Sequence, residues 1–438
     1  MAYLFNLLYA VLLVLYSPVA LFAAWRKGKY RAGLGQRVLG LVPMRPSPAP
    51  LVWLHAVSLG EVSLIASLVE EVRRRHPAAQ IAISSTTVTG YVLAKTRYPD
   101  HTVFYCPLDF TWAVRRALRR LRPDLLVLVE LELWPNLIAA AKAQGVKLAI
   151  VNGRMSDRSF AGYSRLRLLV RRSLAALDLV AVQSPRDADR FLALGARPST
   201  VQAVGSLKFD GAATDRENPV TARLRQLAGF RPGDTVFLAG STQHPEEQMA
   251  LDAYRELSAA HPELRLVLVP RHPDRFDEVA RLLADSGLSW QRRSHLDSGH
   301  RDAAARVLLV DKVGELAAWW GTAGIAFVGG SMGPRNGQNM IEPAAYGVAV
   351  SFGPHTRNFR DVVAALLAGE GAIVVRDGGE LARFVRCCLE NPAEAQQLGA
   401  RAARVVASQL GATQRTAELL DALLPQDRPV AQARRQAA

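Results

Sequence analysis

Cysteine is scarce in this chain, with only Cys106 and the adjacent pair Cys387 and Cys388. Neighbouring cysteines rarely bridge each other, and no C-x-x-C occurs. A disulfide framework and a zinc site are both unindicated, which fits a reducing compartment. No G-x-G-x-x-G follows a predicted strand, which argues against a dinucleotide cofactor. No D-x-D stands at a strand end to hold a metal–diphosphate pair, so no metal or other cofactor is expected. Short-period repeats and low-complexity tracts are also missing. The exception is the Arg- and Gln-containing tail of residues 426–438, which is expected to fray.

Negative charge is in short supply as well. The chain has 39 Asp+Glu against 54 Lys+Arg, a net charge of +15. Such an excess attracts an anionic partner, whether a membrane surface, a phosphorylated substrate or nucleic acid. No recognised nucleic-acid motif accompanies it, so nucleic acid is the least favoured of the three.

From Ala2 to Trp25 charge is missing altogether. A helix of that length reaches ~36 Å, enough to cross a hydrocarbon core of ~30 Å. Arg26, Lys27, Lys29 and Arg31 follow at once. By the positive-inside rule that flank stays cytoplasmic, and a cleaved signal peptide would carry its positive charge before the apolar run. Residues 1–25 therefore read as a membrane anchor, either spanning the bilayer or, given Pro18, lying in its interface.

What the chain has in quantity is apolar residue, 50% of its 438 positions, with 21% charged. That suits two folded domains of roughly 200 residues each. Continuous apolar runs recur at Leu51–Ala56, Gln80–Ser84, Leu125–Val129, Lys147–Val151 and Leu179–Val182. A second set lies at Thr235–Ala239, Leu264–Val269, Arg306–Val310, Ile325–Val328, Val348–Ser351 and Ala372–Val375. Runs of this kind are strands buried on both faces, as in parallel sheets. Helical patterns such as Val62–Arg75 and Thr111–Leu121 alternate with them. The expected fold is α/β, with two Rossmann-like domains facing a cleft, at residues 26–212 and 213–425. Loop-like composition from Gly205 to Gly233 marks the linker.

In such sheets ligands bind beyond the carboxyl ends of the strands. The first strand is followed by Ser58, Gly60 and Glu61. Ser58 and Glu61 have capping-box spacing, so Glu61 is either a helix cap or a general base facing the cleft, with Gly60 leaving room for a substrate. Glu130 and Glu132 follow the run Leu125–Val129, on the same side if the extended geometry persists, with helix capping near Pro135 as the other reading. Gly240, Ser241 and Thr242 precede a helix start and could offer N–H and hydroxyl groups to a phosphate, although Glu246 and Glu247 would compete there. Arg271, set between Pro270 and His272-Pro273, suits a phosphate. Gly329-Gly330-Ser331 runs into Asn339, Met340, Ile341 and Glu342, where a carboxylate can accept both ribose hydroxyls of a nucleotide.

Seven segments together resemble one family, the 3-deoxy-D-manno-octulosonic acid (Kdo) transferases of lipid A. They are Trp53–Glu61, Glu130–Asn136, Asn152–Ser156, Gly205–Asp210, Leu268–Phe276, Phe327–Ser331 and Gly353–Phe359. The resemblance implies a GT-B type glycosyltransferase at the cytoplasmic face of a bacterial inner membrane. It would move Kdo from CMP-Kdo to a phosphorylated lipid A precursor with inversion. It implies Glu61 as base, Glu130 and Lys208 as transition-state support, and CMP contacts at Pro270, Arg271, Val313, Gly314, Glu315, Asn339, Met340, Ile341 and Glu342. Two positions depart from the family's usual histidines, Gln243 and Gln338. Other readings of the same residues are a UDP-sugar transferase or epimerase, or a non-enzymatic module that binds anionic lipid.

Overall fold

The computed structural model describes residues 6, 9–11, 32–45 and 47–425. Most of the expected anchor, the basic cluster after it and the tail lie outside the described residues. Among the described residues no helix is long and apolar enough to cross a membrane.

The chain divides into two compact units, residues 1–210 with 410–438, and residues 211–409. The first unit holds seven parallel strands: β1 (Leu51–His55), β2 (Gln80–Ser85), β3 (Thr102–Tyr105), β4 (Leu125–Val129), β5 (Lys147–Gly153), β6 (Leu179–Val182) and β7 (Val201–Ala203). Their order is β3-β2-β1-β4-β5-β6-β7. Alternation along the strands feeds two cores. Leu51 and Trp53 of β1 join Leu126 and Leu128 of β4 on one face. Val52 and Leu54 join Val127 and Val129 on the other. Helices cover both faces, so the central strand positions are mostly apolar, which is why these runs are continuous rather than alternating. Each fully buried side chain of this kind contributes about 1.5–3 kcal/mol.

The second unit repeats the plan with β8 (Thr235–Thr242), β9 (Leu264–Pro270), β10 (Trp290–Arg292), β11 (Val307–Leu309), β12 (Ile325–Val328), β13 (Ala349–Phe352) and β14 (Ala372–Val374). The order is β10-β11-β9-β8-β12-β13-β14, again all parallel. Strand order reverses between β1 and β4 in the first sheet and between β8 and β12 in the second. These switch points are where open α/β sheets bind ligands.

One element differs from the expected ranges. The helix Ala412–Asp421 falls in the 213–425 range expected for the second domain, yet it packs in the first unit's core through Ala412, Ala417 and Leu420. Asp210 caps it by accepting from Gly411 N at 2.6 Å and from Thr413 N. Arg75 and His76 reach Asp421 at its far end, both at 2.7 Å.

Candidate functional site

At the first switch point, the β1 loop and the β4 loop bring three carboxylates into one electrostatic neighbourhood. Ser58 caps the helix Leu59–Leu64 by accepting from Glu61 N. The Ser58 hydroxyl donates to Glu61 Oε1 and Val57 N donates to Glu61 Oε2, both at 2.8 Å. The capping box is therefore formed, and it fixes the carboxylate's orientation while leaving lone pairs on both oxygens. Burial raises the Glu61 pKa, the Ser58 and Val57 hydrogen bonds oppose that, and the Glu130 charge adds to the rise. Gly60 is exposed, and a Cβ there would meet nothing nearer than Ser58 Oγ at 3.8 Å.

Glu130 departs from the extended geometry expected of it. Its φ is +60°, so the strand ends at Val129 and side-chain alternation stops there. Such a backbone costs a non-glycine residue about 1–3 kcal/mol, and it persists because Glu130 N bonds Val151 O at 2.9 Å. Arg154 pairs with the Glu130 carboxylate at 3.3 Å. Glu132 accepts from Trp134 Nε1 at 2.9 Å. Burial, then the charges of Glu61 and Glu130, push its pKa up to about 7 against the Trp134 bond. Pro135 opens the helix Pro135–Ala143, and Asp109, not Glu130 or Glu132, caps it through Asn136 N and Leu137 N. The capping reading for the two glutamates is thereby removed.

Lys208 sits in a loop held from β5. Asn152, with φ +53°, accepts from Leu207 N at 3.0 Å through its side-chain oxygen. Buried Leu207 and Phe209 flank the lysine. Asn152 is a positioning residue that sequence reasoning passed over, although it opens the segment Asn152–Ser156. His55, fully buried behind Glu61's loop, contacts Ser84 Oγ at 2.9 Å through Nδ1, and burial lowers its pKa to about 4. It is a neutral core histidine.

At the second switch point the glycine-rich loop is already occupied. Glu246, 1% exposed, accepts from Gln243 N (2.9 Å), Gly330 N (2.7 Å), Ser331 N (2.9 Å) and Met332 N (2.9 Å). The N–H groups of the glycine-rich loop therefore face an internal carboxylate, and those of Gly240, Ser241 and Thr242 are not among them. Ser241 takes φ +55°, and Thr242 is fully buried.

The open cation nearby is Arg271, exposed, with its backbone N–H bonded to Thr242 O at 3.0 Å. Its charge acts on Glu342, whose pKa burial raises and Asn339 and Arg271 oppose. Asn339 donates to Glu342 Oε1 at 3.0 Å and accepts from Ile341 N. Pro270, Met340 and Ile341 are buried, so they can offer a ligand only their backbone. His272 is exposed. Val313 and Gly314 are exposed, with φ +89° at Gly314 and open space where a Cβ would lie. Glu315 is held by Arg293 in two hydrogen bonds of 2.9 Å, so its carboxylate is already paired.

Residues 31–211 match the family model described as 3-deoxy-D-manno-octulosonic-acid transferase (kdotransferase). The 3-deoxy-D-manno-octulosonic acid transferase of Bordetella pertussis is 36% identical over 423 residues, covering 92% of this chain and 96% of its own. That of Haemophilus influenzae is 31% identical over 419 residues, covering 94% and 97%. Among solved structures, UDP-GlcNAc 2-epimerase from Neisseria meningitidis bound to UDP-GlcNAc aligns with a TM-score of 0.56 at 13% identity. The alignment covers 85% of this chain and 100% of that one, a likeness of fold alone.

Proposed function

The chain belongs to the 3-deoxy-D-manno-octulosonic acid (Kdo) transferase family and is a glycosyltransferase, and from that premise we propose that it carries Kdo from CMP-Kdo to a phosphorylated lipid A precursor. In this reading the acceptor hydroxyl oxygen attacks the anomeric carbon of Kdo as the bond to the CMP phosphate breaks. Inversion follows from attack opposite the leaving group. The hydroxyl proton passes to Glu61, a step worth roughly 10²–10⁴ in rate. Glu130 and Lys208 support the charge that develops. The second unit holds CMP through Arg271 and through backbone groups at Pro270, Met340 and Ile341, with Glu342 as acceptor for the ribose hydroxyls. The Arg271 cation balances the departing phosphate, so the chemistry asks for no cofactor.

The observation that carries the reading is the setting of Glu61. It lies at the switch point beyond β1, oriented by Ser58 and Val57, with a pKa raised by burial and by Glu130. A carboxylate whose pKa is moved toward neutrality is a better general base than an exposed one. The net charge of +15 and the uncharged stretch from Ala2 to Trp25 support work at a membrane, on its cytoplasmic face.

The test is to incubate the protein with CMP-Kdo and a lipid A precursor and to weigh the product. A mass increase by Kdo units is expected. Thermal stabilisation by UDP and none by CMP would favour a UDP-sugar enzyme of the same fold instead.

A further inference from the structure

The helix Asp157–Arg165 grows out of the loops at the first switch point. It begins just past Arg154, which pairs with Glu130, and Ser156 caps it by accepting from Ser159 N at 3.1 Å. Phe160 and Tyr163 pack on the same core as Leu131, Leu133 and Trp134, the residues on either side of Glu132 in the chain. Burial and then the Glu132 charge raise the Tyr163 pKa. The helix therefore stands at the carboxyl edge of the first sheet, beside the carboxylates.

Its far end is built differently. Residues 164–168 are exposed throughout, with Leu166 at 55% and Leu168 at 82%. The two leucines form the corner where this helix gives way to a second, Arg167–Ala176. Val170 and Leu174 already supply that second helix's contact with the core, and Leu168 stays outside it. A single exposed leucine asks for no account, but this pair is framed by cations. Arg165, Arg167, Arg171 and Arg172 surround it in the chain, and residues 158–177 hold no Asp or Glu. Asp157, just before them, is paired with Arg186 and Arg190. Among the described residues no carboxylate pairs with the four arginines.

Apolar tips ringed by unbalanced cations match a bilayer whose headgroups carry anionic phosphate. The leucines can reach the acyl boundary while the guanidinium groups stay among the phosphates. A soluble anion would leave the leucines in water, and an apolar protein face would strand the arginines.

We propose that this corner seats the first unit on an anionic membrane, with Leu166 and Leu168 among the lipids and the arginines on their phosphates. Because the helix leads back to the loop of Glu132, the same contact holds the carboxylates at the membrane surface, where a lipid acceptor lies. The inference rests on the membrane reading given above and deepens it. Residues 1–25 tether the chain, whereas the corner orients it.

The experiment places an environment-sensitive fluorophore on the full chain carrying Cys387→Ser and Leu168→Cys, in which the remaining cysteines, Cys106 and Cys388, are buried. Vesicles of phosphatidylcholine, alone or with phosphatidylglycerol, carry lipids spin-labelled on the acyl chain. Quenching is expected on the mixed vesicles, and Arg165→Gln with Arg167→Gln and Arg172→Gln should remove most of it. Leu166→Glu with Leu168→Glu should raise the KM for acceptor lipid in those vesicles about tenfold or more, the scale of one leucine's burial. CMP affinity and turnover of a deacylated acceptor should not change, which separates a lost membrane contact from a damaged fold. A label left unquenched while the chain floats with the mixed vesicles overturns the proposal. So does equal quenching on phosphatidylcholine alone, or an unchanged acceptor KM. A natural chain that floats with neither vesicle would instead sink the membrane reading itself.

Discussion

Glu246 Oε1 accepts the backbone N–H of Ser331 at 2.9 Å, so the carboxylate that opens one helix closes the glycine-rich loop of another strand. With Gly330 and Met332 it ties the ends of β8 and β12 together at the switch point.

Removing that carboxylate would orphan four N–H groups, three of them buried. Each unsatisfied group costs about 1–3 kcal/mol, so Glu246→Ala is expected to lose at least about 3 kcal/mol of the second unit's stability. Urea unfolding followed by the fluorescence of Trp319 and Trp320 reads this directly. A midpoint unchanged from the natural chain would show that the loop is held by something else.

The pH dependence follows from the carboxylate group at the first switch point. A neighbouring negative charge favours the protonated form, so Glu130 raises the Glu61 pKa. Activity should therefore fall, as pH is lowered, at a pH above the ordinary glutamate value. Glu130→Gln removes the repulsion and should move that acid limb to lower pH, whatever it does to the maximal rate. A limb that stays put or moves upward contradicts the coupling.

Arg271→Ala should weaken CMP binding about tenfold to a hundredfold, the scale of a charge-assisted hydrogen bond to phosphate. Isothermal titration checks it. An unchanged Kd would take Arg271 out of the nucleotide site.

Removing residues 1–25 should shift the protein from the membrane to the soluble fraction after cell fractionation. An unchanged distribution would place the membrane attachment, if there is one, elsewhere in the chain.

The strands buried on both faces were legible because a short, unbroken apolar run bounded by turn residues is the mark of such a strand. The helix Thr111–Leu121 matches its expected range. The short strands Thr102–Tyr105, Trp290–Arg292 and Val201–Ala203 were missed. β10 and β7 are polar edge strands of three residues, and Thr102–Tyr105 is hardly longer. The pattern Val62–Arg75 hid a break at Ile65 that divides it into two helices. The loops carrying Glu61, Glu130 and Arg271 were legible as polar residues after strands. Strand order was not, because adjacency in a parallel sheet is set by crossovers that leave no local pattern. Nor did sequence reveal that Asp109 caps the helix behind Glu132, or that Asn152 holds the Lys208 loop. Both contacts join residues far apart in the chain through short polar side chains, which carry no periodic signal.

The most direct test of the central claim is the turnover of Glu61→Gln with CMP-Kdo and a lipid A precursor. Glutamine can keep the capping box, so fold and CMP affinity should hold while transfer falls by roughly 10²-fold or more. Near-normal turnover would show that Glu61 only caps its helix and that the proton goes elsewhere.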